Sequence, residues 1–259
     1  MPGALLRRLL AHPLAARQDL DDPATTEARR QIIAEKPFLR AIYREWYQTL
    51  ADHLPSGEGS IVELGSGAGF CAEFIPGLIT SEVFACSDVR LVMDARALPL
   101  PAASLRAIVM TNVLHHLPDV QRFFNEATRC LRPGGKVLMI EPWVTPWSTL
   151  VYSRLHHESF APEAAGWSFN GSGPLSGANV ALPWIVFSRD RHRFDQAFPD
   201  LRVEQICAFL PFRYLLSGGV SLRSLVPAMT HKMWAGLEGK LKSQMHRIAM
   251  FAFISVARR

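Results

Sequence analysis

The sequence contains no apolar run of the roughly 20 residues that a membrane-spanning helix needs. It also lacks a Cys-x-x-Cys pair, because its cysteines lie far apart, at Cys71, Cys86, Cys130 and Cys207. Dispersed cysteines argue against a zinc framework or a disulfide scaffold, and they are typical of buried thiols in a reducing compartment. We therefore predict a cytoplasmic protein.

A strong charge of one sign is also missing. The net charge is +5 at pH 7 over 259 residues, and the basic residues are spread along the chain. This mild excess does not require a nucleic-acid partner, and we predict none, although it permits contact with an anionic membrane surface. The 49% of hydrophobic and 20% of charged residues are typical of a globular chain that buries a core.

The first part of the chain differs in pattern from the rest. Residues 1–54 have leucines and aromatic residues every three or four positions, which predicts an N-terminal helical cap. Residues 55–259 form the predicted main domain. Its apolar runs show no polar alternation, as in parallel strands covered on both faces, and lie at 61–64, 78–83, 89–93, 107–111 and 136–140.

A helix is predicted between the fourth and fifth of these runs. Its apolar residues fall on one face, and Pro133-Gly134-Gly135 should stop it. Residues 142–200 are rich in Pro, Gly, Ser and Trp, and we predict that they form a substrate lid inserted after the fifth strand. A strand at 202–210, a helical stretch at 230–246 and a last strand complete an α/β fold.

The stretch from Glu63 to Phe70 carries a glycine-rich turn directly after the first run. Glycines allow a ligand to approach the backbone without meeting a Cβ atom. A dinucleotide-binding turn that began at Gly65 would need its third glycine at position 70, where the chain has phenylalanine. A carboxylate before the turn suits a ligand with an ammonium group better than one with a pyrophosphate.

This spacing, Glu63-x-Gly65-x-Gly67-x-Gly69, resembles motif I of the class I S-adenosylmethionine (SAM) dependent methyltransferases. Residues 60–142 resemble the same family in order and spacing, and most of all its methyltransferase type 11, or ubiquinone/menaquinone C-methyltransferase-like, group. The resemblance implies a Rossmann-like, mostly parallel seven-stranded sheet with helices on both faces. It also implies methyl transfer from SAM, by in-line displacement, to a small-molecule or lipid-like acceptor. A SAM-binding module without catalytic activity is the alternative.

The resemblance also assigns the cofactor-binding residues. Asp88 and Glu82 are alternatives for the acid that binds the ribose, and we choose Glu82 because Asp88 lies too close to the third strand. This choice leaves a connection between the second and third strands that is too short for the usual helix. The predicted SAM-binding residues are Glu63, Gly65, Ser66, Gly67, Glu82, Asp94, Ala95, Thr111 and Asn112.

The acceptor is less well specified. No Asn-Pro-Pro-Tyr signature follows the fourth strand, which argues against methylation of DNA bases or glutamine. The candidates for a general base are His116, His156 and His157, with a further substrate-side role for Glu158. We predict no metal, because neighbouring histidines on a helix point about 100° apart and do not easily share one ion.

The late helical stretch carries Trp234 and Leu237 on one side, and Lys232 and Lys240 mostly elsewhere. Together with the arginines of the N-terminal segment, it permits peripheral membrane contact. The alternative is a helix packed on the domain with a solvated basic face. The sequence does not specify the oligomeric state.

Overall fold

The computed structural model describes residues 10–15, 21–155, 158–169 and 177–259. The predicted candidates His156 and His157 lie outside the described residues, as do the arginines at positions 7 and 8. No helix in the described ranges has the length and hydrophobicity needed to span a bilayer.

Seven strands form one sheet, in the order β3-β2-β1-β4-β5-β7-β6. Strand β7 is antiparallel to both of its neighbours, and the other pairs are parallel. This confirms the predicted mostly parallel, Rossmann-like sheet. The strands are β1 Ser60–Leu64, β2 Ile79–Glu82, β3 Leu91–Val92, β4 Leu105–Thr111, β5 Leu131–Pro142, β6 Leu201–Phe209 and β7 Phe251–Arg258.

Helices cover both faces of this sheet. The α-helices of the described part are α1 Pro23–Glu35, α2 Pro37–Asp52, α3 Val120–Cys130, α4 Pro146–Leu155, α5 Leu182–Trp184, α6 Arg191–Ala197, α7 Arg213–Ser217, α8 His231–Lys240 and α9 Met245–Ile248. A π-helical turn, Ile185–Arg189, joins α5 to α6. Short 3-10 turns lie at Pro13–Ala15, Cys71–Glu73, Leu114–His116, Ala228–Thr230 and Lys242–Gln244.

Alternate side chains of the central strands enter two separate cores. Ile108 packs in the core that contains Phe123 and Phe124 of α3, whereas Val109 packs in the core that contains Trp46 of α2. All five side chains are at most 1% exposed. Burial of an aromatic or aliphatic side chain stabilises the fold by about 1.5–3 kcal/mol. Because both faces are covered, the strand sequences are continuously apolar, as the sequence pattern predicts.

The first two long helices begin at residues that favour the start of a helix. The Asp22 side chain accepts a hydrogen bond from the Ala24 amide at 2.9 Å, and Pro23 takes the first helical position of α1. Pro37 starts α2 in the same way after Lys36. The buried face of α2 then packs on the sheet and on the glycine-rich turn.

The connection between β2 and β3 contains no helix, as predicted from its length. The predicted helix stop is wrong in detail, because α3 already ends at Cys130 and Pro133-Gly134-Gly135 lies inside β5. There the pairing with β4 is irregular: Leu105 pairs with Leu131, and Ala107 pairs with Lys136. The segment 142–200, which was predicted to form a substrate lid, carries α4, α5 and α6.

Candidate cofactor and acceptor site

Hydrogen bonds to β2 hold the glycine-rich turn at the carboxyl edge of the sheet. The Ser66 amide donates to the Ser81 carbonyl at 2.9 Å, and the Ser81 amide donates to Ser66 Oγ at 3.1 Å. The Ser81 hydroxyl donates to the Glu63 carbonyl at 2.6 Å. Gly65 has a φ of +70°, a left-handed conformation that favours glycine. The turn is therefore fixed before any ligand binds.

The N-terminal helices lie directly against this turn. A Cβ atom at Gly67 would meet the Thr26 side chain of α1 and would lie 2.8 Å from Glu82 Oε2. A Cβ atom at Gly69 would meet the hydroxyl of Tyr47 on α2. Glycine at these positions thus allows α1, α2 and Glu82 to approach the backbone closely.

The two alternative ribose ligands lie in different surroundings. Glu82 is buried at the end of β2, where its carboxylate accepts hydrogen bonds from the amides of Gly67 at 3.1 Å and Val83 at 2.9 Å. Burial raises the pKa of Glu82 above its usual value. Asp88 has a side chain that is 84% exposed and forms a 2.6 Å ion pair with Arg30. Glu82 therefore bonds directly to the turn, whereas Asp88 lines the cleft beside the turn and is linked to the Gly67 carbonyl through Arg30.

Glu63 is a buried acid beneath the same turn. Burial, with the charge of Glu82 adding to it, raises the pKa of Glu63 to about 7, although hydrogen bonds from Ser66 and Cys71 oppose the shift. Its side chain forms no ion pair within the part of the chain that the structure describes. A buried carboxylate in this position is suited to bind a cationic group.

The third strand places Asp94 at the same edge. Val92 pairs with Glu82 in the sheet, and Met93 donates a hydrogen bond to the Glu82 carbonyl at 2.9 Å. The Asp94 carboxylate accepts hydrogen bonds from the Arg96 amide at 2.8 Å and from Arg96 Nη2 at 2.7 Å, which lowers the pKa of Asp94. The neighbouring Ala95 is buried.

The last two predicted SAM-binding residues, Thr111 and Asn112, lie at the end of β4. Asn112 has a φ of +57°, and its amide donates to the Ile140 carbonyl at 2.9 Å. Burial raises the pKa of the Tyr43 hydroxyl on α2 to about 12, and the nearby Asn112 side chain opposes this shift. Thr111 Oγ1 is buried and has no hydrogen-bond partner among the described residues. Such an unsatisfied hydroxyl marks a place for a polar ligand atom.

A buried carboxylate organises the loop after β4. Glu141 of β5 is fully buried, and its Oε1 atom accepts hydrogen bonds from the amides of Val113 and Leu114, each at 2.8 Å. Its Oε2 atom lies 2.7 Å from Nδ1 of His115. Glu141 was not predicted as a site residue. The only sequence signal for it is an acid near the end of the apolar fifth run.

Two histidines of this loop, His115 and His116, lie near the carboxylate of Glu158, which follows α4 in the chain. Glu158 lies 3.5 Å from His115 Nε2 and 3.8 Å from His116 Nε2. Burial lowers the pKa of His115, but its bonds to Glu141 and Glu158 outweigh burial and raise it to about 9. Burial, together with the charge of His115, lowers the pKa of His116 to about 3.

A cleft of about 390 Å³ opens between α1, α2 and the glycine-rich turn. It reaches Glu63 and Ser66 of the predicted set, and Arg40, whose guanidinium lies over the Phe70 ring, also lines it. The other predicted SAM-binding residues do not line this cleft. The volume is within the usual range of small-molecule sites, roughly 300–1,000 Å³.

Residues 62–139 match the family model described as a methyltransferase domain, Methyltransf_11. The chain is also 31% identical over 134 residues to a probable SAM-dependent methyltransferase of Mycolicibacterium smegmatis, a match that covers 46% of this chain and 51% of the relative. Both matches point to SAM-dependent methyltransferases, and the match to the family model covers residues 62–139 of the chain. A probable SAM-dependent methyltransferase of Mycobacterium tuberculosis is 29% identical over 110 residues, or 37% of this chain and 39% of the relative. The chain therefore matches about half or less of the length of these curated relatives.

A solved structure shares the fold of this chain. A chain from the complex between a methyltransferase activator and a methyltransferase of Haloferax volcanii is 14% identical, with a TM-score of 0.50 and coverage of 94% of this chain and 98% of that one. At this identity the likeness shows the fold alone. A geranyl diphosphate C-methyltransferase of Streptomyces coelicolor is 17% identical with a TM-score of 0.47, and it covers 96% of this chain and 89% of that one.

The residues at the carboxyl edge of the sheet fit the cofactor SAM. SAM carries an ammonium group, a carboxylate, a ribose and an adenine. The edge offers the buried carboxylates of Glu63 and Glu82 and the unsatisfied hydroxyl of Thr111. These groups are the kinds of partner that a cationic, hydroxyl-bearing ligand needs.

Proposed function

We propose that this protein transfers a methyl group from SAM to a small-molecule or lipid-like acceptor. The observation that carries the proposal is the pair of buried acids, Glu63 and Glu82, on either side of a glycine-rich turn at the carboxyl edge of this sheet. Bound SAM supplies a methyl group on a positively charged sulfur, and the acceptor displaces this sulfur in line. The chain itself holds and orients the two reactants, which can lower the barrier by roughly 7–11 kcal/mol.

In this proposal Glu63 pairs with the ammonium group of SAM and Glu82 accepts hydrogen bonds from the ribose. Its orientation towards Gly67 supports Glu82 over the exposed Asp88. Gly65, Ser66 and Gly67 lie along the methionine part, Asp94 and Ala95 beside the adenine, and Thr111 and Asn112 at the floor of the pocket.

Arg29 of α1 completes this set. Its positive charge lies close enough to Glu82, Tyr43 and His116 to affect the pKa of each, and it forms no ion pair among the described residues. We place it against the SAM carboxylate, because that group is the anionic counterpart of the ammonium bound by Glu63.

On the acceptor side, His116 is the described candidate for a proton acceptor. Its Nδ1 atom lies 3.3 Å from the Gly177 carbonyl, which leaves Nε2 facing the interior beside Glu158. Because the pKa of His116 is about 3, the ring is neutral and can accept a hydrogen bond from an acceptor hydroxyl. It is a weak base, so we expect alignment to contribute more than proton removal.

Calorimetric titration with SAM and with S-adenosylhomocysteine tests the cofactor site. We expect Glu82→Gln to weaken binding by about 10- to 100-fold, since a hydrogen bond to a charged group is worth about 1.5–3 kcal/mol. Asp88→Asn is the matched control and should leave the affinity within about twofold of the parent protein, because its side chain is exposed. Loss of binding in Asp88→Asn alone would assign the ribose to Asp88.

An activity assay distinguishes a methyltransferase from a SAM-binding module without catalytic activity. We would incubate the protein with methyl-labelled SAM and panels of phenols, enols, amines and isoprenoid-like lipids. Transfer of label to one class, abolished by Glu82→Gln, supports the enzyme. Tight SAM binding without transfer to any of these acceptors favours the non-catalytic alternative.

The surface around α8 supports a second proposal, contact with an anionic lipid surface. Three apolar side chains spaced four residues apart are exposed: Met229 by 89%, Met233 by 62% and Leu237 by 43%. Lys232 and Lys240 are exposed beside them. An apolar stripe flanked by basic residues is suited to the interface of an anionic bilayer.

Sedimentation with phosphatidylglycerol vesicles, with phosphatidylcholine vesicles as the comparison, tests this contact. We expect binding to the anionic vesicles that falls at high salt and in a Met229→Ser/Met233→Ser variant. Equal sedimentation of the parent and the variant would refute the contact.

A further inference from the structure

His115, His116 and Glu158 bring three potential metal ligands together in the interior. One ligand atom from each residue lies within 4.8 Å of the other two. Their side chains are 4%, 11% and 11% exposed, so the cluster is nearly closed to bulk water. The three residues come from two separate segments, because the histidines follow β4 and Glu158 follows α4.

The Nδ1 atom of each ring lies within hydrogen-bonding distance of an oxygen acceptor. His115 Nδ1 lies 2.7 Å from the carboxylate of Glu141, and His116 Nδ1 lies 3.3 Å from the Gly177 carbonyl. Each Nδ1–H can donate to its oxygen, and each Nε2 then faces Glu158. Metal-binding histidines almost always have this arrangement, in which the second ring nitrogen donates to a carboxylate or a carbonyl.

The spacing also suits one small ion. Two ligands that each lie about 2.1 Å from a tetrahedral zinc ion are roughly 3.4 Å apart. The observed separations are 3.5 Å from Glu158 Oε2 to His115 Nε2 and 3.8 Å from Glu158 Oε1 to His116 Nε2, so each carboxylate oxygen lies near this distance from one ring nitrogen.

We propose that His115, His116 and Glu158 bind one divalent transition-metal ion of the zinc type. Two imidazole ligands select against Mg²⁺ and Ca²⁺, which prefer oxygen. Three protein ligands leave the fourth tetrahedral position to a water or to an oxygen of a bound molecule.

This proposal departs from the prediction of no metal. That prediction considered His156 and His157 as neighbours on one helix, whereas the rings of His115 and His116 in the 3-10 turn are 4.3 Å apart and tilted by only 39°. An ion on Nε2 of His116 would take the place of the hydrogen bond to an acceptor hydroxyl that is described above.

The test uses the full chain, freed of metal with a chelator and then titrated with Zn²⁺ alone. We expect one equivalent to bind, as measured by calorimetry and by metal analysis after gel filtration, and Mg²⁺ alone to give no binding. His116→Gln and Glu158→Gln should each weaken Zn²⁺ binding at least tenfold. The matched control is His192→Gln, an exposed histidine of α6, which should bind like the parent protein.

Circular dichroism melting of each variant verifies that it is folded. Absence of saturable Zn²⁺ binding by the folded parent protein would overturn the proposal, and so would equal binding by the parent and both folded variants. Zn²⁺ binding does not depend on SAM in this assay. A protein that binds Zn²⁺ through these residues but binds no SAM would therefore refute the proposed function and leave the metal site intact.

Discussion

Replacing Glu63 by glutamine should stabilise the protein while weakening its cofactor binding. Glu63 is buried beneath the glycine-rich turn, and its pKa is raised from 4.5 to about 7, chiefly by burial. A shift of this size corresponds to about 3 kcal/mol, at 1.36 kcal/mol for each pH unit. The native state of the SAM-free protein therefore holds this side chain more easily as the neutral acid.

The sign of the pH dependence follows from the raised pKa. The contribution of Glu63 to the free energy of unfolding is fully present below pH 4.5 and is lost as the pH rises through 7. Glutamine cannot ionise, so the free energy of unfolding of the variant does not fall with pH at this position. Between pH 5 and pH 8 the stability of Glu63→Gln relative to the parent should rise by about 2–3 kcal/mol.

SAM binding should change in the opposite direction. The ammonium group prefers the ionised carboxylate, so the affinity of the parent protein should rise as the pH increases through 7. In Glu63→Gln the affinity should be about 10- to 100-fold lower at pH 8, because a charge-assisted hydrogen bond is lost. Trading stability for function in this way is common at binding sites.

Urea unfolding across the pH range and calorimetry with SAM measure the two effects. The control is Glu58→Gln, since Glu58 is an exposed acid that does not line the cleft and such surface substitutions change stability by about 0.5 kcal/mol or less. If Glu63→Gln gained no stability relative to the parent between pH 5 and pH 8, or bound SAM as tightly as the parent, the assigned role of Glu63 would be wrong.

Three further substitutions test other parts of the structure. Gly67→Ala should weaken SAM binding and lower the melting temperature, because its methyl group would meet Thr26; melting curves that match those of the parent would contradict the close packing of α1 on the turn. Phe124→Ala should cost about 3–5 kcal/mol in urea unfolding, since the ring is fully buried, and a cost below about 1 kcal/mol would contradict this burial. Arg29→Gln should weaken SAM binding by about tenfold or more in calorimetry, whereas Arg44→Gln, an exposed arginine on α2, should not; equal affinities would remove Arg29 from the site.

The amino-acid sequence alone was enough to predict the sheet and the cofactor class. Continuous apolar runs identify strands that are buried on both faces, because such strands have no solvent-facing side to carry polar residues. The alternating glycines after Glu63 identify the turn, since only glycine leaves room for Thr26 and Val113 against its backbone. The absence of a helix between β2 and β3 was likewise predictable, because the connection has too few residues for one.

Only the tertiary structure shows which side chains meet. Glu82 and Asp88 are both acids near the end of β2, yet the backbone directs one to Gly67 and the other to Arg30. The sequence also gives no sign that Glu158 approaches His116, because contacts between distant segments depend on how β4, β5 and α4 pack. Periodicity and local motifs report the conformation of each segment and the burial of its faces, whereas the direction of a buried polar side chain is set by neighbours far away in the chain.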